Sequence, residues 1–135
     1  MPETSLTPLP ENTVVTENKR TVQRYLDGFN KSDHEQILSC LTEDIRWTVY
    51  GAFRIQGKEA YDANIENPEA VEPPHLTVVS LVEEADVVMA ELTLQQRLKN
   101  GVVMRAAMGA AFLMRDGLIA ERRAYVVPLQ ENDYK

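Results

Sequence analysis

Cysteine is almost missing from this sequence of 135 residues: Cys40 stands alone, so no disulfide can form within the chain. A reducing cytoplasm is therefore the expected location. No apolar run approaches the roughly 20 residues of a membrane span, and the N-terminus lacks the basic and apolar segments of a secretory signal. Basic residues number 14 against 21 acidic ones, and the net charge of -7 argues against nucleic acid and membrane surfaces as partners.

The sequence also lacks the usual signals of metal and cofactor sites. His34 and His75 have no partner residues at metal-ligand spacing, and the lone cysteine adds none. No glycine-rich phosphate loop, Ser-His-Asp order or dinucleotide fingerprint is present. We therefore expect neither a metal nor a cofactor.

What is present is an ordinary globular composition, with 44% hydrophobic and 26% charged residues. The length fits one domain built around one core. We assign that domain to residues 13–128, after a loose proline-containing arm at 1–12 and before a short tail at 129–135.

Three helices are expected in the first half of the chain. The first, over residues 13–30, carries an apolar stripe at i, i+3, i+4 and i+7, formed by Val22, Tyr25, Leu26 and Phe29. A capping box of Ser32 and Glu35 opens a second helix that runs to Leu41. A short third helix begins at Gly57 and places Tyr61 and Ile65 one turn apart.

Strands are expected in the rest of the chain, beginning with the alternation of Ile45, Trp47 and Val49 with polar neighbours. Four longer strands follow, at 76–82, 87–98, 102–114 and 118–127. Helices followed by consecutive strands predict an α+β fold in which the helices cover one face of a sheet.

The turn at Asn100-Gly101 sets which side chains of the sheet face inward. Taken as a two-residue hairpin turn, it pairs Lys99 with Val102. The inward residues of the earlier strand would then be Met89, Glu91, Thr93 and Gln95. Their partners in the next strand would be the apolar even positions Met104, Ala106, Met108, Ala110 and Phe112. A slip of one residue would send Ala90, Leu92 and Leu94 inward instead.

Three segments together (Val22–Asn30, Ser32–Glu35 and Thr42–Trp47) resemble the opening of the nuclear transport factor 2-like superfamily. That superfamily holds ketosteroid isomerases, limonene epoxide hydrolases and SnoaL-like polyketide cyclases. The resemblance covers roughly residues 15–127. It implies a cystatin-like α+β roll: a cone-shaped, curved, antiparallel or mixed sheet covered by three N-terminal helices, whose mouth takes a small apolar ligand.

The resemblance also shows which catalytic groups this chain lacks. Tyr25 follows Val-Gln-Arg as in ketosteroid isomerases and by similarity is a hydrogen-bond donor, although a core aromatic is the alternative. The two isomerase acids fall on Val49 and Ala110, which cannot move protons. For the epoxide hydrolases, the paired residues fall near Leu94 and Gln96 and the last acid falls on Ala124. Neither reaction is expected.

Arg122 is the polar candidate of the last strand. The superfamily pattern turns it inward with Ala120, Ala124 and Val126, whereas a strict two-residue turn at Asp116-Gly117 would turn Glu121, Arg123 and Tyr125 inward. We favour the first set because it is otherwise apolar. Since an unpaired buried arginine costs several kcal/mol, we expect Glu91 to pair with Arg122. This pair would either anchor a ligand carboxylate or enolate, or serve only to compensate the two buried charges.

Two functions are compatible with these patterns. The first is a pocket for a small apolar or aromatic molecule, with weak isomerase- or cyclase-like catalysis by Tyr25, Glu91 and Arg122. Its expected lining is Phe29, Trp47, Val49, Tyr61, Ile65, Met89, Thr93, Gln95, Met108, Ala110, Phe112 and Ala124. The second is a non-catalytic interaction module with a filled core. The alanine-rich fourth strand favours the pocket. In either case we expect a homodimer through the outer face of the sheet, at Val103, Leu113 and Tyr125.

Overall fold

The protein was analysed as a computed structural model, which describes Leu9 and residues 15–130. The predicted arm at 1–12 and the predicted helix start at 13 lie largely outside the described residues. In chain order the elements are α1 (Glu17–Lys31), α2 (His34–Leu38), β1 (Leu41–Val49), β2 (Phe53–Gln56), α3 (Lys58–Ala63), β3 (His75–Glu84), β4 (Val87–Arg97), β5 (Val103–Arg115) and β6 (Leu118–Pro128). None of the helices in this part of the chain is long and apolar enough to cross a bilayer.

The sheet confirms the predicted α+β fold. Its strand order is β2-β1-β6-β5-β4-β3. β1 runs parallel to β6, while the other neighbours are antiparallel, so the sheet is mixed. The helices contribute buried residues to one core with the inward face of the sheet, and the apolar stripe of α1 is buried there as expected.

The start of α2 differs from the prediction. Ser32 is not its N-cap but ends α1 in the left-handed conformation, with φ of 53°. Asp33 is the N-cap, and its side chain accepts a hydrogen bond from the Gln36 amide at 3.0 Å. The helix ends at Leu38, and Leu41, the predicted end of the helix, is instead the first residue of β1. Asp33, one residue after Ser32, is an equally favoured N-cap residue and accepts from a backbone amide at the start of the helix.

The hairpin between β4 and β5 has the alternative register, so the prediction of a two-residue turn is wrong by one residue. The Leu98 amide donates to the Val102 carbonyl at 2.8 Å, which leaves a three-residue loop ending in Gly101 at φ of 89°. Such a loop places its last residue in the left-handed region, where glycine is favoured. Ala90, Leu92 and Leu94 therefore share the inward face, and Ala90 pairs with Ala110.

The hairpin between β5 and β6 combines the two alternatives given for the last strand: a strict two-residue turn and an inward Arg122. Arg115 pairs with Leu118 across a two-residue turn at Asp116-Gly117, as a strict turn requires. A bulge at Ala120 then shifts the register by one residue, so that Phe112 pairs with Arg122. The extra residue of a bulge reverses the facing of everything after it. Arg122 therefore lies on the inward face, as predicted.

Candidate functional site

A cavity of about 350 Å³ opens between the inward face of the sheet, α1 and the loop that follows α3. Its apolar walls come from β1, β4 and β5 and from the end of α1. The lining residues are Phe29, Trp47, Val49, Phe53, Asn64, Ile65, Glu66, Asn67, Pro68, Pro74, Leu76, Leu94, Gln96, Met108, Arg122 and Val126. This volume lies at the lower end of the range for small-molecule sites.

Arg122 is the one cation in that lining and is only 4% exposed. Its strand neighbours in the sheet are Trp47 on the parallel strand β1 and Phe112 on β5. The guanidinium carbon lies 5.3 to 5.8 Å from the ring centroids of Tyr25, Phe29, Trp47 and Phe112. At these distances the ring faces attract the cation and offset part of its lost hydration.

The Tyr25 hydroxyl holds this guanidinium in place. Nη1 of Arg122 donates to the hydroxyl oxygen at 2.8 Å, and the Tyr61 hydroxyl is hydrogen-bonded to the same oxygen. Both tyrosines are fully buried, and neither belongs to the cavity lining. Tyr25 is therefore placed behind Arg122, where it orients the cation and does not itself reach the cavity.

Burial also determines the protonation of the two tyrosines. It raises the pKa of Tyr25 above its ordinary value of 10.0, an effect that the charge of Arg122 partly opposes. Burial, reinforced by the neighbouring Tyr25, raises the pKa of Tyr61 well above that value. Both hydroxyls are thus neutral at physiological pH and cannot serve as bases there.

Of the residues predicted to line the cone, five lie in the cavity wall: Phe29, Trp47, Val49, Ile65 and Met108. Four others, Tyr61, Ala110, Phe112 and Ala124, are fully buried directly behind that wall. Whether any of them binds a ligand stays a prediction.

Four predicted site residues, Met89, Glu91, Thr93 and Gln95, lie on the outer face because of the one-residue change of register. Glu91 is exposed and accepts a hydrogen bond from Ser80 on that face at 3.3 Å. It cannot reach Arg122 across the sheet. The expected Glu91–Arg122 pair is therefore wrong, and Glu91 does not belong to the lining of this cavity.

Apart from Ile65, the lining residues contributed by β2 and by the loop after α3 were not predicted from the sequence. Phe53 packs edge-on against Trp47, with 5.1 Å between ring centroids. Gln96, buried on β4, donates to the Glu72 carbonyl at 3.0 Å and so ties the loop before β3 to the sheet. The alternative register, which turns Ala90, Leu92 and Leu94 inward, also turns Gln96 inward. No sequence pattern, by contrast, predicts that the loop lines the cavity.

His34 links α2 to the segment that forms the mouth of the cavity. Its Nδ1 lies 2.5 Å from an oxygen of Asp62 on α3, and its Nε2 lies 2.7 Å from an oxygen of Glu66. These contacts, with Asp62 first and Glu66 second, raise the pKa of His34 above 6.5. Glu66 itself lines the cavity.

Acidic side chains are scarce in the described part of the cavity lining. Among the described residues that line it, Glu66 is the single carboxylate, and it is engaged by His34. The described part of the chain brings no group of three or more His, Cys, Asp or Glu side chains together as a metal site. Apart from Glu66, the described residues of the lining include no carboxylate or imidazole that could act as a general base.

Comparison with solved structures shows the nuclear transport factor 2-like fold. An LEH-like epoxide hydrolase from M. tuberculosis is 18% identical with a TM-score of 0.73, and 82% of each chain is covered. A candidate SnoaL-like polyketide cyclase from Jannaschia sp. is 19% identical with a TM-score of 0.73, over 88% of this chain and 91% of the other. A candidate ketosteroid isomerase from Kribbella flavida is 21% identical with a TM-score of 0.70, over 88% and 84%.

The family follows from the sequence itself. The model of the SnoaL-like domain matches residues 22–122, so this chain belongs to the SnoaL-like family. The match spans the elements from α1 to Arg122 on β6, which are the elements that form the cavity. Comparison with curated protein sequences gives no significant match.

The buried tyrosines predict a loss of stability in alkali. A phenol whose folded pKa is raised contributes stability that is intact below its unfolded pKa of about 10 and is lost as the pH rises through the folded pKa. We expect the free energy of unfolding, measured with urea between pH 8 and 11, to fall above pH 10. Tyr61→Phe should reduce that slope by up to about 1.4 kcal/mol per pH unit. The exposed Tyr50→Phe is the control, and equal slopes for both variants would contradict the prediction.

The His34 cluster predicts a raised histidine pKa that depends on Asp62. A titration followed by NMR should place the pKa of His34 above 6.5, and Asp62→Asn should lower it. Because the folded pKa is raised, the stabilisation by the protonated ring is complete below the unfolded pKa of about 6.5 and is lost as pH rises through the folded value. The His75 signal gives an internal comparison. An unchanged His34 titration in Asp62→Asn would show that the contact is not formed in solution.

Proposed function

We propose that the protein binds a small apolar or aromatic molecule in the cone and does not catalyse the acid–base reactions of the related enzymes. The observation that carries this proposal is the cavity itself, which has apolar walls and a buried arginine but no free carboxylate on its inner wall. Proton transfer at the isomerase positions is absent because Val49 and Ala110 stand there.

The size of the cavity supports useful affinity. A ligand that buries about 300 Å² of apolar surface gains roughly 7 kcal/mol at 25 cal/mol per Å². Loss of rigid-body freedom removes a large share of that gain, so micromolar dissociation constants are expected. The open cavity argues against the alternative of a filled-core interaction module.

We also propose that the outer face of the sheet forms a homodimer. Met89, Val103, Tyr125 and Val127 are apolar residues between 41% and 56% exposed on or beside this face. Exposed apolar area is typical of protein interfaces. Glu121, whose strand borders this face, binds Arg46 and Arg123 within the chain, so its charge is compensated without a partner copy.

Ligand binding can be followed through Trp47, the single tryptophan of the sequence, because its ring lines the cavity. Steroids, polyketide-like aromatics, terpenoids and fatty acids are the probe classes. At 100 times its dissociation constant a ligand adds about 2.7 kcal/mol, which raises the melting temperature by several degrees. We expect one class to shift both the melting temperature and the fluorescence.

Leu94→Phe, which fills the cavity from β4, should weaken that binding by about tenfold, since overpacking of a filled site costs 1–3 kcal/mol. Met89→Phe makes a similar aromatic change on the outer face of the same strand and should leave binding unchanged. A shift from no probe class, or equal weakening by both variants, would refute the proposed binding site.

The dimer is tested by sedimentation at micromolar concentration. Tyr125→Glu places a charge in the proposed interface, where burial of an unpaired carboxylate is strongly unfavourable, and should convert the dimer to a monomer. Val71→Glu, an equally exposed position in the loop before β3, is the control and should remain dimeric. A wild-type monomer under these conditions would refute the dimer.

A further inference from the structure

Two buried N–H groups in the cavity wall have no hydrogen-bond acceptor within the described part of the chain: Nε of Arg122 and Nε1 of Trp47. Their side chains are 4% and 6% exposed. A buried donor left unpaired costs about 1–3 kcal/mol, and more when it is charged. Native structures seldom keep such groups without a reason.

The two residues that carry these donors are neighbours in the sheet. Trp47 on β1 and Arg122 on β6 are register partners in the parallel pair, so their side chains share one face of the sheet. The guanidinium carbon is 5.3 Å from the centroid of the Trp47 ring. Both residues belong to the cavity lining. One ligand group seated in the cavity can therefore lie within reach of both.

The charge of Arg122 is also uncompensated by any carboxylate in the described residues. The charges of the two residues next to it in sequence, Glu121 and Arg123, are compensated, because these residues form an ion pair with each other on the outer side. Arg122 instead has two neutral tyrosine hydroxyls near Nη1 and four aromatic rings around it. Its Nη1 is engaged by Tyr25, while Nε remains for an external acceptor.

We propose that the ligand of this cavity is a small aromatic or alicyclic monocarboxylate, whose carboxylate oxygens accept hydrogen bonds from Nε of Arg122 and Nε1 of Trp47. This inference rests on the proposed function and specifies its ligand class. The carboxylate supplies the missing counter-charge in a desolvated site, where charge-assisted hydrogen bonds are strongest. The apolar body of the ligand then packs along Val49, Leu94 and Met108, which line the rest of the cavity.

The position of Glu66 is consistent with an anionic ligand. This carboxylate lines the cavity, but both of its oxygens lie within 2.9 Å of Nε2 of His34. The raised pKa of His34 favours the protonated ring, whose positive charge opposes the negative charge of Glu66.

The test is calorimetry at pH 7.5 with two probes of nearly equal shape, 2-naphthoate and the neutral 2-naphthamide. Wild-type protein should bind the naphthoate at least about tenfold more tightly, as expected from one charge-assisted hydrogen bond of 1.5–3 kcal/mol. Arg122→Met should abolish this preference while it keeps the affinity for the amide. Trp47→Phe, which retains an aromatic ring but removes the N–H, should reduce the preference several-fold.

Arg123→Met is the matched control, because it removes the same charge from the adjacent residue on the outer side, and it should keep the full preference. Equal affinities of wild-type protein for the two probes would overturn the carboxylate inference while the proposed apolar pocket stands. Binding of neither probe would also overturn the carboxylate inference, whereas the proposed apolar pocket is refuted only if none of the four probe classes binds. Trp47→Phe provides an independent reading should Arg122→Met fail to fold, and an unchanged preference in that variant would refute the two-donor site.

Discussion

The burial of one arginine among aromatic rings is the constraint on which the arrangement of this cone depends. A guanidinium removed from water needs partners on every side, and here they come from separate elements: Tyr25 and Phe29 from α1, Trp47 from β1 and Phe112 from β5. Tyr61 on α3 completes the set through its contact with Tyr25. Arg122 thus joins helices and sheet in the core, and it also contributes to the lining of the cavity.

The described cavity lining offers apolar area and hydrogen-bond donors, and its single carboxylate, Glu66, is engaged by His34. Donors alone can stabilise a negative charge already on a ligand or one that develops on it. They cannot create that charge from a C–H bond at neutral pH without a base. The same fold is therefore compatible with recognition without turnover, since function depends on the site and not on the fold.

The sequence predicts this molecule best where local periodicity and burial agree. The α1 stripe and the inward face of β1 follow directly from spacing, and the apolar even positions of β6 correctly place Arg122 inside. The errors arise where one residue of loop length decides the result. Asn100-Gly101 is a strong two-residue turn signal, yet the chain forms a three-residue loop that begins at Lys99. Both loop types have a position that favours glycine. The two registers are therefore distinguished by which side chains of β4, such as Leu92, pack against the core.

Stability alone does not explain why an arginine occupies this position. Buried charges are often replaced by apolar side chains of similar volume with no loss, or even a gain, of stability. The site around Arg122 is already lined with rings that would accept such a side chain. The arrangement instead keeps the charge, orients one of its nitrogens with Tyr25 and leaves another nitrogen facing no acceptor. Arg122 is thus closely positioned by its neighbours but lacks an acceptor for one of its nitrogens, and the proposed ligand would supply that acceptor.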